Sequence, residues 1–250
     1  MTYAHRVVAM RALVVLAAAL ALEIIPRVGV GTRLEIIPFS EMLLGVVALL
    51  KTAEFWHHLF TSVLSIGFAF LSAAVFGVAF GYLLWRMPRL YKILSPYLVS
   101  YYAIPIFAFY PVLIVMFGAN RIPIFLLATG WGIVAVVVST VEGLALVRDS
   151  WEKVADVYHL NGWQRAFSVH LPAAWPQMAV GMRLAATYCI LGVISSEFIL
   201  SSDGLGYMVN HSYNSFEYRP MWGGILVVLA VGIALDLLVS AATRRLGALR

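Results

Sequence analysis

Residues 154–176 read VADVYHLNGWQRAFSVHLPAAWP, a polar stretch set between two long hydrophobic segments. Upstream, residues 122–142 are apolar over a length that crosses a bilayer, and downstream 177–200 are again. Spanning as a helix takes about 20 mostly apolar residues, because the hydrocarbon core is about 30 Å thick and each residue rises 1.5 Å. Four further segments meet that length approximately, at 7–25, 62–85, 94–117 and 221–240. All run continuously apolar rather than alternating at period two, which predicts helices and not barrel strands. The polar stretch is therefore a loop between spans, and the expected fold is an all-α integral membrane domain over residues 1–250 with about six transmembrane helices.

Composition agrees. The chain is 62% hydrophobic and 12% charged, against about 25% charged in an ordinary soluble domain. A single soluble core of this size needs a larger polar shell, so the surplus apolar surface is assigned to lipid. The net charge of +5 is distributed along the chain in a way that reports orientation. With the N-terminus inside, Arg6, Arg11, Arg86, Arg89, Lys92, Arg148, Lys153, Arg165, Arg244, Arg245 and Arg250 fall on the inner side. Arg27, Arg33, Lys51, Arg121 and Arg219 fall outside, and Arg183 lies within a span. Eleven against five is the positive-inside bias, so the basic balance does not point to nucleic acid. Both termini are then cytoplasmic, and 154–176 faces the cytoplasm as a docking loop. Arg6 and Arg11 ahead of Ala12–Leu22, with small Ala19 and Ala21, also fit a cleaved signal peptide. The apolar run continues through Ile25, which favours a retained anchor.

Other segments carry local expectations. Ser40 is a candidate N-cap for an interfacial outer helix over 40–52, too short to span. Phe55, Trp56, His57 and His58 read as an interfacial belt; the adjacent histidines point about 100° apart on a helix and do not form a metal site. Pro96, Pro105 and Pro111 predict a bent or discontinuous third span, either lining a path or simply packed irregularly. Gly204 and Gly206 allow a sharp turn after the fifth span.

The chain has no G-x-x-x-x-G-K-[ST], and none of its three lysines follows a glycine, so ATP hydrolysis through a P-loop is excluded. H-E-x-x-H and G-x-S-x-G are also absent, and no catalytic constellation stands out. Charges within spans are functional suspects. For Arg183 and Glu142 interhelical pairing or snorkelling is the favoured reading, whereas Ser195, Ser196 and Glu197 are equally consistent with lining a path. Three function classes remain: an importer permease, an ion-coupled carrier using Asp236 or Glu197, and an intramembrane enzyme using Glu197, Ser195 or the histidines.

Two stretches narrow this choice. WQRAFSVHLPAAWPQMAVGMRLA (Trp163–Ala185) and SSEFILSSDGLGYMV (Ser195–Val209), supported by IPFSEMLLGVVALLKTAEFWHHLFTSV and the Pro105/Pro111 stretch ending Met116-Phe117-Gly118, resemble the permease subunits of ATP-binding-cassette importers. The similar branch serves nitrate, sulfonates, taurine and pyrimidine precursors, and the resemblance is continuous from about Pro38 to Arg245. It implies a type I importer (MetI-like) fold in a bacterial inner membrane. It implies a second permease copy, two ATPase subunits that carry the ATP and magnesium, and a periplasmic or lipoprotein binding protein. It implies no cofactor in this chain, and a substrate that is a small organic or inorganic anion (nitrate-, sulfonate- or taurine-like) or an aromatic or heterocyclic precursor.

The resemblance also assigns a coupling loop over about 148–175, which in the family reads E-A-A-x-x-x-G followed at a fixed distance by L-P. Anchoring on Trp163 and Pro172 sets Lys153, Val154 and Ala155 at the E-A-A positions and His159 at the glycine. Only Ala155 matches; Glu152 is one residue early, and Asn161-Gly162 is expected to supply the turn. A first short helix is expected over 151–160, capped by Asp149 or Ser150. A second over 163–170, ended by Pro172, presents Trp163, Phe167 and Leu171 on one side at i, i+4 and i+8. The ATPase-coupling residues are thus Lys153, Ala155, Asp156, His159, Gly162, Trp163, Gln164, Phe167, Leu171 and Pro172. Pro105, Tyr110, Ser195, Ser196, Glu197, Gly204, Gly206 and Tyr207 are assigned to the translocation path.

Overall fold

The computed structural model describes residues 3–28 and 36–248; Arg33 and Arg250 of the charge pattern lie outside the described residues. It is helical, with no strand among the described residues. Three helices exceed bilayer length and apolarity as single runs: α3 (Ala53–Arg86), α6 (Arg121–Ala145) and α11 (Tyr218–Ala248). A fourth run, Gly162–Ile199, combines α8 (Gly162–Arg165), a π turn at Ala166–His170, and α9 (Leu171–Leu200). The predicted third span is a bent helix pair, Pro88–Ala103 and Ile106–Phe117, at 88°. The first segment lies on α1 (Tyr3–Arg27), so the count of six is approximate.

The prolines explain the break. The helix Pro88–Ser100 (α4) gives way to 3-10 turns at Tyr101–Ala103 and Ile106–Phe109 before Tyr110–Phe117 (α5). Pro105 precedes the second turn and Pro111 sits in the first turn of α5, where a missing N–H breaks no helix bond. The irregular backbone is held from the side, since the Tyr101 hydroxyl donates to the Gly130 carbonyl at 3.0 Å. Ile106 and Tyr110 are buried in the core.

The chain divides into two compact units. The first comprises Met1–Thr61 and Phe198–Ala230. In it the interfacial helix predicted over 40–52 is α2 (Phe39–Leu50), begun by Pro38 rather than capped by Ser40. Ser40 instead donates its backbone N–H to Glu23 Oε2 at 2.9 Å and its hydroxyl to Glu23 Oε1 at 3.0 Å. A carboxylate from α1 thereby satisfies an orphan N–H of the first turn and complements the helix dipole, leaving no work for a serine cap. The belt is also only half present: Trp56 and His57 are exposed, while Phe55 and His58 are buried. His58 Nδ1 accepts from the Gly204 N–H at 3.1 Å, at the residue whose φ of +102° begins α10 (Leu205–Asn214). Gly204 alone makes that turn; Gly206 is helical.

The second unit comprises Ser62–Glu197 and Val231–Arg250. Its centre is α6, whose Val134–Val137 and Ser139–Val141 stretches are buried. Apolar burial gives helices in lipid little mutual attraction, so close packing through small residues takes its place. The α6–α9 seam follows that rule. A Cβ on Gly132 would lie 2.7 Å from Cys189 Sγ and 3.1 Å from the Ala185 carbonyl oxygen, and one on Gly181 would lie 2.7 Å from the Ala135 carbonyl oxygen. On α3, Phe68, Leu71, Phe76, Phe80 and Leu83 stay more than half exposed, the apolar surface assigned to lipid.

Candidate functional site

The polar stretch folds into two short helices joined by a tight turn. The first, α7, runs Asp149–Val157 and starts at Arg148 with no side-chain cap, so neither Asp149 nor Ser150 caps it. Asp149 and Glu152 sit in its first turn, where negative charge faces the exposed N–H groups. Ala155 is fully buried, and α7 packs on the 166–170 turn. The helix ends at His159, which has φ +51°. His159 N–H donates to Asp156 O at 3.0 Å and Leu160 N–H to Ala155 O at 3.0 Å. This is a Schellman ending with histidine where glycine is preferred.

The expected relocation of the turn to Asn161-Gly162 is therefore corrected. His159 keeps the glycine position's left-handed backbone, and Gly162 does not have positive φ. Asn161 opens the next helix instead: its side chain accepts from Gln164 N–H at 2.8 Å, while Gln164 Oε1 accepts from Asn161 N–H at 3.0 Å. That reciprocal capping box fixes the start of α8. Since a left-handed L-residue costs about 1–2 kcal/mol, His159→Gly should raise the thermal midpoint of the purified protein slightly, and His159→Val should lower it. A midpoint order other than Gly, His, Val would place the strain elsewhere.

Pro172 does not end the second helix. The chain passes through a π turn at Ala166–His170 and continues into α9 without interruption. Leu171 N–H bonds to Ala166 O, a five-residue step that widens the turn just before the proline ring. The extra residue also breaks the i, i+4, i+8 register. Trp163 and Phe167 stay together, with centroids 4.5 Å apart and exposures of 75% and 53%. Leu171 is rotated away and packs with Leu144, Ala174 and Met178.

The two short helices are bound into one piece by a polar network. Arg165 reaches Asp156 Oδ1 at 2.7 Å and Glu152 Oε2 at 3.4 Å. Glu152 Oε1 lies 2.5 Å from Nε2 of His170, a side chain 4% exposed, and His170 Nδ1 lies 3.1 Å from the Tyr82 hydroxyl on α3. An imidazole with hydrogen on Nε2 can donate to Glu152 and accept from the Tyr82 hydroxyl, so the ring bridges α7 and α3. Trp85 stacks edge-on against the same ring at 4.9 Å. Residue by residue reasoning missed Glu152, Arg165, His170 and Tyr82 because a network has no sequence spacing.

α7 exposes Trp151, Val154, Val157 and Tyr158, and the following turns expose Trp163 and Phe167. The spacing of Trp151, Val154 and Tyr158 at i, i+3 and i+7 was the available signal. Lys153, Asp156, His159, Gly162 and Gln164 are exposed in the same stretch. An exposed apolar patch rimmed by polar groups marks an interaction surface.

The residues assigned to a path lie within each unit. Glu197 is 2% exposed and accepts from the Ser62 hydroxyl at 2.6 Å, and Ser196 is fully buried beside it, so this pair ties α9 to α3. Ser195 is half-buried and Pro105 exposed, while Tyr110 belongs to the core. Gly204, Gly206 and Tyr207 are in the first unit. Glu142 Oε2 accepts from Gln177 Nε2 at 3.0 Å, which is the interhelical pairing expected of it.

Comparison with known proteins adds an independent line. Residues 73–248 match the family described as binding-protein-dependent transport system inner membrane component. An ABC transporter permease protein by name, from Haemophilus influenzae, is 28% identical over 72% of this chain and 74% of its own length. The aliphatic sulfonates transport permease protein SsuC of Bacillus subtilis is 29% identical over 79% of this chain and 72% of its own. The taurine transport system permease protein TauC of Escherichia coli is 27% identical over 78% and 70%. These similarities favour the permease over the carrier and the enzyme.

Proposed function

The chain belongs to the binding-protein-dependent transport system inner membrane component family, and on that premise we propose how it takes up work and what it moves. It is a multi-pass membrane permease subunit and not itself an enzyme; its importer works with a separate ATPase and a substrate-binding protein. In our reading two copies of the chain pair symmetrically, since a symmetric ATPase pair calls for a symmetric partner. Both termini and the 148–175 loop are cytoplasmic, and α2 lies at the outer surface.

The observation that carries the coupling assignment is the exposed Trp163–Phe167 pair, held on helices that are capped, cross-linked by charge and keyed to α3 through His170. Aromatic side chains on a rigid base are what a docking hot spot needs. ATPase closure pressing on this piece moves Glu152 and His170 together, and His170 passes the motion to Tyr82 and α3. The same motion enters α9 directly, because the 162–199 run is one helix. Ala155, Leu171 and Pro172 act by packing, Asp156, His159, Gly162 and Gln164 position the aromatic pair, and Lys153 lies at its rim.

The transported molecule is proposed to be a small organic or inorganic anion, or a heterocyclic precursor. The support is the naming of relatives for sulfonates, taurine, nitrate and formylaminopyrimidine. The path is assigned to Pro105, Tyr110, Ser195, Ser196, Glu197, Gly204, Gly206 and Tyr207, with Glu197 keeping α9 on α3 while the helices rock. Proteoliposomes holding the permease, its ATPase and its binding protein should take up ligand only with ATP. Uptake driven by a pH gradient without ATPase would overturn this reading.

A further inference from the structure

Arg183 lies in the membrane-spanning part of α9, where an unpaired cation is costly. It nonetheless makes no salt bridge among the described residues. Among the described residues its side chain donates one hydrogen bond, from Nε to the Ala179 carbonyl at 3.4 Å on its own helix. Arg183 lines a cleft. An open cavity of about 860 Å³ is lined by Trp151, Phe167, Pro172, Trp175, Arg183 and Thr243, and Arg183 is the charged residue among its lining. Trp175 Nε1 donates to the Thr243 carbonyl at 3.3 Å, which fixes the indole. The Thr243 hydroxyl donates back into its own helix, to Val239 O at 2.9 Å and Ser240 O at 3.1 Å, so it offers no spare proton.

The cleft therefore combines apolar and aromatic walls with one cation, and no acidic side chain lines it among the described residues. A planar guanidinium presents parallel N–H donors that match the oxygens of an oxyanion. The volume exceeds that of a bare inorganic ion and is in the range of small-molecule sites. We propose that this cleft binds an amphiphilic anion, its sulfonate, carboxylate or phosphate head forked onto Arg183 and its apolar body against Trp175, Phe167 and Trp151. The placement of the cleft at the cytoplasmic side rests on the permease reading; the anion chemistry does not. Two sources share this chemistry, the transported anion before its release and an acidic phospholipid of the inner leaflet.

The test uses the whole importer complex in phosphatidylcholine nanodiscs, with 2-bromoethanesulfonate as a tryptophan quencher and neutral 2-bromoethanol as comparator. The sulfonate should quench saturably and the alcohol should not. Arg183→Gln should weaken the sulfonate midpoint at least tenfold, Arg183→Lys should restore part of it, and Trp175→Phe should remove most of the saturable signal. Adding phosphatidylglycerol to the nanodiscs separates the sources: a midpoint raised about tenfold identifies the lipid, and an unchanged one identifies the free anion. Saturable quenching that is equal in wild type and Arg183→Gln overturns the site. If Arg183→Gln does not fold, unchanged quenching in Trp175→Phe overturns it. ATP-driven uptake is scored separately, so a complex that transports without Arg183-dependent quenching sinks the site alone. A complex that quenches but never transports with ATP sinks the permease reading alone.

Discussion

Trp163→Glu and Phe167→Glu should each cut ATP-driven uptake in reconstituted proteoliposomes at least tenfold while leaving membrane insertion and thermal midpoint unchanged. Both side chains are more than half exposed, so a carboxylate there meets water and costs the fold little. Against a partner's apolar pocket the same carboxylate must be desolvated without a counter-ion. Losing a central aromatic contact removes about 2 kcal/mol or more, which is roughly thirtyfold in affinity. Co-purification of the ATPase should fall in parallel, and Lys153→Ala, at the rim, should change little. Full uptake by either glutamate variant, with all subunits present, would remove the docking assignment.

Gly181→Ala should destabilise the protein by several kcal/mol, whereas Gly67→Ala should stabilise it slightly. Helix propensity alone treats the two alike, favouring alanine by about 1 kcal/mol in each helix interior. Their surroundings differ. A Cβ at Gly67 meets nothing within 4 Å, while one at Gly181 lies 2.7 Å from the Ala135 carbonyl oxygen and closer still to Ser139. A carbonyl oxygen in α6 cannot move aside, so α9 must back away and the seam loses its dispersion contacts along its length. The comparison is read as thermal midpoint and monodispersity in detergent for both variants. Equal midpoints would mean that the α6–α9 approach does not carry this unit.

The membrane fold was legible because burial in lipid demands long apolar runs, and length and hydrophobicity survive without any knowledge of neighbours. The bent third helix pair was legible for a related reason: Pro105 and Pro111 lack the N–H that a continuous helix requires. Local signals failed where a distant group took over their task. Ser40 looked like a cap until Glu23, seventeen residues earlier, supplied the acceptor. Pro172 looked like a helix end, yet the π turn before it gives the ring room, and that widened turn then carries Leu171 off the face that its spacing predicts.

The coupling loop divides in the same way. Trp163 and Phe167 could be paired from the sequence, since four residues on one short helix fix their neighbourhood. His159 could not be read, because the position calls for glycine and only the backbone angle reveals that histidine accepts the strain. Nor could the link from Glu152 through His170 to Tyr82, whose ends are seventy residues apart in the chain and meet only after α3 and α9 have packed. By itself the sequence determined that this protein crosses a membrane through helices, which way its charges favour, and where its polar loop lies, because these follow from transfer of each segment between water and lipid. The tertiary structure alone decided which polar groups are partnered, leaving Arg183 without a salt bridge among the described residues and Glu197 buried on Ser62. Pairing depends on how helices distant in sequence approach one another, and no single segment encodes that.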